Sequence, residues 1–139
     1  MKIGWIEWLA LPELNVKLIK AKIDTGARTS ALHTFKIETF KKEEQDWIRF
    51  WVHPNQDDFN NEVICECKLK DQRSVTNSGG NTEHRYVIET LVQISNKSWP
   101  IEITLTNRDE MKYRMLLGRQ AMQNLTVIPR LQYNQKRPK

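Results

Sequence analysis

The sequence has few of the features that mark secreted, disulfide-stabilised or membrane-spanning proteins. Its 139 residues include two cysteines, Cys65 and Cys67, which share one face of a predicted strand and are poorly placed to bridge each other. Its apolar runs reach about four residues, whereas a membrane-spanning helix needs ~20. Glu7 interrupts any apolar region of a signal peptide. We therefore expect a cytoplasmic protein with no membrane partner.

Motifs for metal and nucleotide binding are also missing. Zinc proteolysis needs a ligand cluster such as His-Glu-x-x-His, which leaves one coordination position open for water. Here the histidines are isolated at His33, His53 and His84. Gly79-Gly80 lacks the lysine that follows the glycines of a phosphate-binding loop. The sequence therefore predicts no metal site and no cofactor.

The net charge of +5 is concentrated at the C-terminus. The polar segment 132–139 carries three of the positive charges, Lys136, Arg137 and Lys139. We predict one domain over residues 1–131 and a basic, disordered tail over 132–139. A basic β-barrel that binds nucleic acid is the third of three hypotheses, and it is disfavoured because no nucleic-acid recognition motif accompanies the charge.

Alternating apolar and polar residues predict strand after strand, separated by turn signals about every ten residues. One short helix is predicted at 118–122, and a short turn at 29–32. The predicted fold is all-β, a closed or partly open barrel with one short C-terminal helix. The predicted strands are 2–9, 16–24, 33–40, 46–53, 62–70, 86–94, 99–106, 115–117 and 125–128.

One of these strands ends abruptly at Asp24-Thr25-Gly26-Ala27. Aspartate and glycine are poor strand formers, and glycine permits a tight turn and a close backbone approach. Alone, this is the sequence of an ordinary turn. About 90 residues later, the apolar strand Met115-Leu116-Leu117 ends in Gly118-Arg119. Together the two segments resemble those of retropepsin-like aspartic proteases.

The likeness extends to one family. The segments that carry it are Ile3-Gly4-Trp5, Leu11-Pro12-Glu13-Leu14 and residues 21–33, 102–109 and 115–122. They resemble the bacterial "ATP-dependent zinc protease" family, whose members are retropepsin-like and in part associated with RimK-type ATP-grasp glutamate ligases. Tyr86 and Arg114 stand where the family pattern has proline. The missing motifs argue against both zinc and ATP.

The resemblance implies a role for each segment. Asp24 would be the catalytic acid and base, Thr25 would hydrogen-bond across a dimer, and Gly26 and Ala27 would offer backbone groups to substrate. Gly118 and Arg119 would support the loop. The flap over the substrate would have its tip at Ser78, Gly79, Gly80 and Asn81.

Arg28 follows the motif directly. A cation at this position suggests a preference for acidic substrate groups, and the alternative is an ordinary surface arginine.

Because the chain has one Asp-Thr-Gly, the first hypothesis is a C2 homodimeric aspartic peptidase acting on a peptide or protein substrate. The second is a non-catalytic retropepsin-like dimeric module that partners a RimK-type ligase.

Overall fold

In the computed structural model, residues 1–54, 61–76, 79–107 and 113–138 are described, and they form an almost entirely β structure. Two 3-10 turns, Pro12–Leu14 and Arg119–Met122, interrupt the strands. Within these ranges no helix is long and apolar enough to cross a membrane. The strands are β1 (Lys2–Ile3), β2 (Ile6–Leu11), β3 (Val16–Ile23), β4 (Ser30–His33), β5 (Lys36–Lys42), β6 (Gln45–Val52), β7 (Val63–Lys68), β8 (Asp71–Thr76), β9 (Thr82–Ile94), β10 (Lys97–Thr106), β11 (Met115–Leu117) and β12 (Thr126–Val127).

Six strands close into a ring in the order β2-β3-β11-β4-β10-β9. Strand β9 closes it, because it pairs with β10 along most of its length and touches β2 through Ala10 and Gln93. Strand β8 extends the sheet as a hairpin with β9. The predicted all-β, partly closed barrel is thereby confirmed, and its late helix is a single 3-10 turn.

The remaining long strands, β5, β6 and β7, form an antiparallel meander. Its inner face carries Ile48, Phe50 and Val52, which are fully buried. They join the same core cluster as the barrel residues Leu9, Ile19 and others. One continuous core therefore lies between the ring and the meander, which is the main source of stability in a chain of this size.

The turn predicted at 29–32 is wrong, since residues Ser30–His33 form strand β4. It pairs in parallel with β10 and antiparallel with β11, and all four of its residues are buried. A strand covered on both faces loses the apolar–polar alternation that reveals strands in a sequence. Strand β4 covers one edge of β11, and β3 pairs with the other edge, which brings the two segments of the motif together.

The end of the chain runs beside its beginning. The Trp5 N–H donates to the Leu131 carbonyl at 2.8 Å, and a Cβ on Gly4 would lie 2.1 Å from that oxygen, so only glycine fits there. The fully buried Glu7 carboxylate accepts hydrogen bonds from the backbone N–H groups of Asn134 and Gln135. The domain boundary at residue 131 stays a prediction, but these residues have partners in the barrel. Lys139 lies outside the described residues.

Candidate active site

Asp24 lies at the end of β3, where two neighbouring segments hold the backbone. The Asp24 N–H donates to the Leu117 carbonyl at 2.9 Å, extending the parallel pairing of β3 with β11. On the other side, the Ile23 N–H donates to the Trp5 carbonyl at 2.8 Å. The half-buried carboxylate therefore projects from a strand end that is fixed on both edges.

The turn after Asp24 fixes its side chain as well. The Gly26 N–H donates to Asp24 Oδ1 at 3.0 Å, and the Ala27 N–H donates to the Asp24 carbonyl at 3.2 Å. A Cβ on residue 26 would lie 3.3 Å from Oδ1, which is tighter than an ordinary contact. Glycine thus lets its amide approach the carboxylate, and this hydrogen bond orients the carboxylate within the turn.

Gly118 lies very close to the backbone of residues 29 and 30. A Cβ there would lie 2.6 Å from the Thr29 carbonyl carbon and 2.9 Å from the Ser30 nitrogen. The Gly118 N–H donates to the buried Ser30 hydroxyl at 3.0 Å. Ser30 is not among the predicted site residues. Its position six residues after Asp24 is the sequence feature that could have identified it.

Arg119 and the residue that follows it hold the loop through three hydrogen bonds. The Arg119 guanidinium donates to the Thr25 carbonyl at 2.9 Å. The backbone N–H groups of Arg119 and Gln120 donate to the carbonyls of Ala27 and Arg28 at 2.8 and 3.0 Å. The structure therefore brings residues 24–28 against 118–120.

The side chains of Thr25 and Arg28 are exposed beside this loop. Their roles, a contact across a dimer and a contact with substrate, stay predictions.

The predicted hairpin is the β8–β9 pair, whose ladder ends at Thr76 and Thr82. Gly79 and Asn81 are exposed at its tip, and Gly80 has a φ of 82°, with open space where a Cβ would project. Ser78 lies outside the described residues. The hairpin is attached to the ring through β9, and its role as a flap stays a prediction.

The residues considered as metal ligands have other surroundings. His33 is buried, and His84 hydrogen-bonds to Gln72. The His53 ring stacks on that of Phe35, with the ring centroids 4.1 Å apart. Within the described ranges, no three His, Cys, Asp or Glu side chains are grouped to hold a metal ion.

The two cysteines are poor metal ligands because burial opposes their ionisation. It raises the pKa of the Cys65 thiol to about 12 and that of Cys67 to about 11. The thiolate, which is the form that binds metals, is therefore scarce at neutral pH. Cys65 instead donates its S–H to the Leu14 carbonyl at 3.4 Å.

The two residues that depart from the family pattern are accommodated within the fold. Tyr86 lies in β9, paired with Gln72 and Leu105, and Arg114 is buried next to β11. Neither lies in the Asp24 loop.

Comparison with solved structures supports the fold. The chain superposes on a Legionella pneumophila protein of unknown function (DUF785) with a TM-score of 0.80, 27% identity and 96% coverage of both chains.

Comparison with curated sequences gives longer relatives. The chain is 48% identical over 126 residues to a probable alpha-L-glutamate ligase of Shewanella pealeana, and 51% identical to one of Parasynechococcus marenigrum. The matches cover 91% of this chain but only 28% and 27% of those proteins. Residues 2–138 match the family described as "RimB-like: Retropepsin-like aspartic endopeptidase RimB". The chain therefore belongs to the RimB-like family of retropepsin-like proteins.

Proposed function

We propose that the protein is a homodimeric aspartic endopeptidase in which each protomer contributes one Asp24. The observation that carries the proposal is the fixed half-site around this residue. Its backbone is held by Leu117, its carboxylate by Gly26, and its loop by Arg119. Such bracing of an exposed loop is typical of catalytic groups that must be positioned before substrate binds.

The chemistry requires a second carboxylate. One ionised group takes a proton from water as the water attacks, while its protonated mate polarises the scissile carbonyl. Two negative charges about 3 Å apart are mutually destabilising, so the pair shares one proton. The sequence contains a single Asp-Thr-Gly. A C2 dimer supplies the second copy, because the same surface meets itself across the axis.

The proposed substrate is an acidic peptide. Arg28 is exposed directly after the turn, and its carbonyl is held by the Gln120 N–H. Its backbone is therefore held next to the Asp24 loop, from which the exposed guanidinium could pair with a glutamate or aspartate side chain of the substrate.

A ligase of the RimK type is the proposed protein partner. The support is that a segment similar to this chain lies within longer proteins named probable alpha-L-glutamate ligases. Specific capture of such a ligase by a protein that cleaves no peptide would favour the non-catalytic module instead.

The test compares Asp24→Asn with Asp46→Asn, a matched loss of charge at an exposed residue of the meander. We expect Asp24→Asn to abolish cleavage of glutamate-rich peptides, followed by mass spectrometry, while the dimer persists in sedimentation equilibrium. Asp46→Asn should cleave normally. Undiminished cleavage by Asp24→Asn, or a strict requirement for zinc or ATP, would contradict the proposal.

The substrate class is tested with the same assay. Arg28→Gln should raise KM for glutamate-rich peptides about tenfold while leaving glutamine-rich controls nearly unchanged. An equal effect on both peptides would show that Arg28 does not recognise the negative charge of the glutamate side chains.

A further inference from the structure

A cavity of about 530 Å³ lies beside the Arg119–Met122 turn, which also contacts the Asp24 loop. Its size is within the range of ligand-binding clefts. Its walls come from the start of β10, from the Arg119–Met122 turn and the residues that follow it, and from the first residue of the chain. The lining residues are Met1, Lys97, Ser98, Trp99, Pro100, Gln120, Ala121, Gln123, Asn124 and Leu125.

One wall of the cavity is a sheet edge. Strand β10 pairs with β9 from Lys97 onward, but β4 covers its other edge only from Ile103 to Thr106. The half-buried Trp99 closes part of the gap, because its indole N–H donates to the Ala121 carbonyl at 3.0 Å. The edge formed by residues 97–100 therefore faces the cavity without a strand beside it in the described fold.

The register shows which backbone groups point there. Pro100 is paired with Leu91, whose N–H donates to the Glu13 carboxylate at 3.1 Å instead of to β10. The two residues therefore form a non-hydrogen-bonded pair, and the carbonyl of Pro100, which has no N–H, points away from β9. Ser98, two residues earlier, has the same direction. An extended peptide could add to this edge as a further strand.

The charged and polar side chains that line the cavity favour an acidic peptide. Among the described residues that line it, Lys97 alone has a charged side chain, and it is exposed. Hydroxyl and amide groups of Ser98, Gln120, Gln123 and Asn124 supply further polar contacts. Because no Asp or Glu is among these described lining residues, an acidic side chain would meet no opposing charge from them.

The cavity and the candidate active site share one element. The Arg119–Met122 turn contributes Gln120 and Ala121 to the cavity, while the N–H groups of Arg119 and Gln120 hold the loop after Asp24. We propose that the cavity is an exosite that binds an extended acidic segment of the substrate as an added strand on β10. The inference rests on the proposed function in one respect, namely that the acidic segment belongs to a substrate of the peptidase.

The test measures binding without cleavage. Asp24→Asn protein labelled with ¹⁵N is titrated with a glutamate-rich peptide and with its glutamine counterpart. We expect the Trp99 indole signal and the side-chain amides of Gln120, Gln123 and Asn124 to shift with the glutamate peptide. Methylation of alternate peptide amides should abolish these shifts, because it removes the hydrogen bonds of an added strand.

Charge is tested with Lys97→Gln against Lys17→Gln, a matched change at an exposed residue outside the cavity. The first should weaken binding at low salt about fivefold and the second should leave the Kd unchanged. Equal binding of the glutamine peptide, an unaffected Kd in Lys97→Gln, or shifts confined to the Asp24 loop would overturn the exosite.

The two proposals fail in different ways. Binding at the cavity by a protein that cleaves nothing would refute only the peptidase. The opposite result has two parts: wild-type protein cleaves acidic peptides, and the Trp99 signal of the Asp24→Asn variant does not respond to the same peptides. That result would refute only the exosite.

Discussion

Replacing the buried Glu7 by glutamine tests how the two ends of the chain are joined. Glu7 lies on β2 with none of its surface exposed. Its Oε2 accepts hydrogen bonds from the N–H groups of Gly4 at 2.7 Å and Asn134 at 2.9 Å, and its Oε1 accepts one from Gln135 at 3.1 Å. All three donors are backbone groups, so a carboxylate satisfies them and an amide cannot.

The cost can be worked out from this geometry. If the glutamine oxygen takes the Oε2 position, its NH2 group faces the Gln135 N–H; if it takes the Oε1 position, the NH2 group faces Gly4 and Asn134. At least one bond to a charged acceptor is lost, worth about 1.5–3 kcal/mol, and a buried donor is left facing another donor. We expect Glu7→Gln to lower the free energy of unfolding by about 2–4 kcal/mol.

The assay is equilibrium unfolding in urea at one fixed protein concentration, because dimerisation would otherwise change the apparent stability. Glu44→Gln, an exposed change at the β5–β6 turn, is the matched control. Amide exchange at Asn134 and Gln135 should accelerate in Glu7→Gln alone. A loss of stability below about 0.5 kcal/mol would refute the view that this carboxylate holds the C-terminal residues.

Two further predictions concern the loop support and the buried thiols. Gly118→Ala should cost about 2–4 kcal/mol in urea unfolding and reduce cleavage, because its Cβ would force the Thr29–Ser30 backbone apart; unchanged stability would contradict the close approach. Burial raises the pKa of Cys67 to about 11, so between pH ~9 and that value the unfolded chain loses a proton that the folded chain keeps. The free energy of unfolding should therefore fall as pH rises, by up to about 1.4 kcal/mol per pH unit for this thiol, in addition to the contribution of Cys65, whose pKa burial also raises. Cys67→Ser should reduce that slope without abolishing it; an identical slope in the variant would contradict the prediction.

The sequence is informative where structure is local. At Asp24-Thr25-Gly26 and Gly118-Arg119, glycine permits a close approach to neighbouring atoms, and the predicted contact between these two segments is present in the fold. The Gly79-Gly80 pair predicts a hairpin turn, and strands β8 and β9 form that hairpin, with a positive φ at Gly80.

Contacts between distant residues cannot be predicted in this way. In the sequence Glu7 merely interrupts an apolar run, because its partner Asn134 lies 127 residues away. Strand β4 has the sequence of a turn because burial on both faces removes its alternation. In each case the residues that explain the local sequence lie in a distant part of the chain, and the contact is seen only in the folded structure.

The bracing of the Asp24 loop also decides what its asparagine variant can show. The loop is ordered within one protomer by Leu117, Gly26 and Arg119, so dimerisation need not order it. Asparagine keeps a side-chain oxygen that can accept the Gly26 N–H, and it leaves every backbone bond in place. What it removes is the ionisable group that, in the proposed dimer, would share a proton with its counterpart across the axis. Loss of cleavage in a folded, dimeric Asp24→Asn protein would therefore report on the chemistry of the carboxylate and not on the order of the loop.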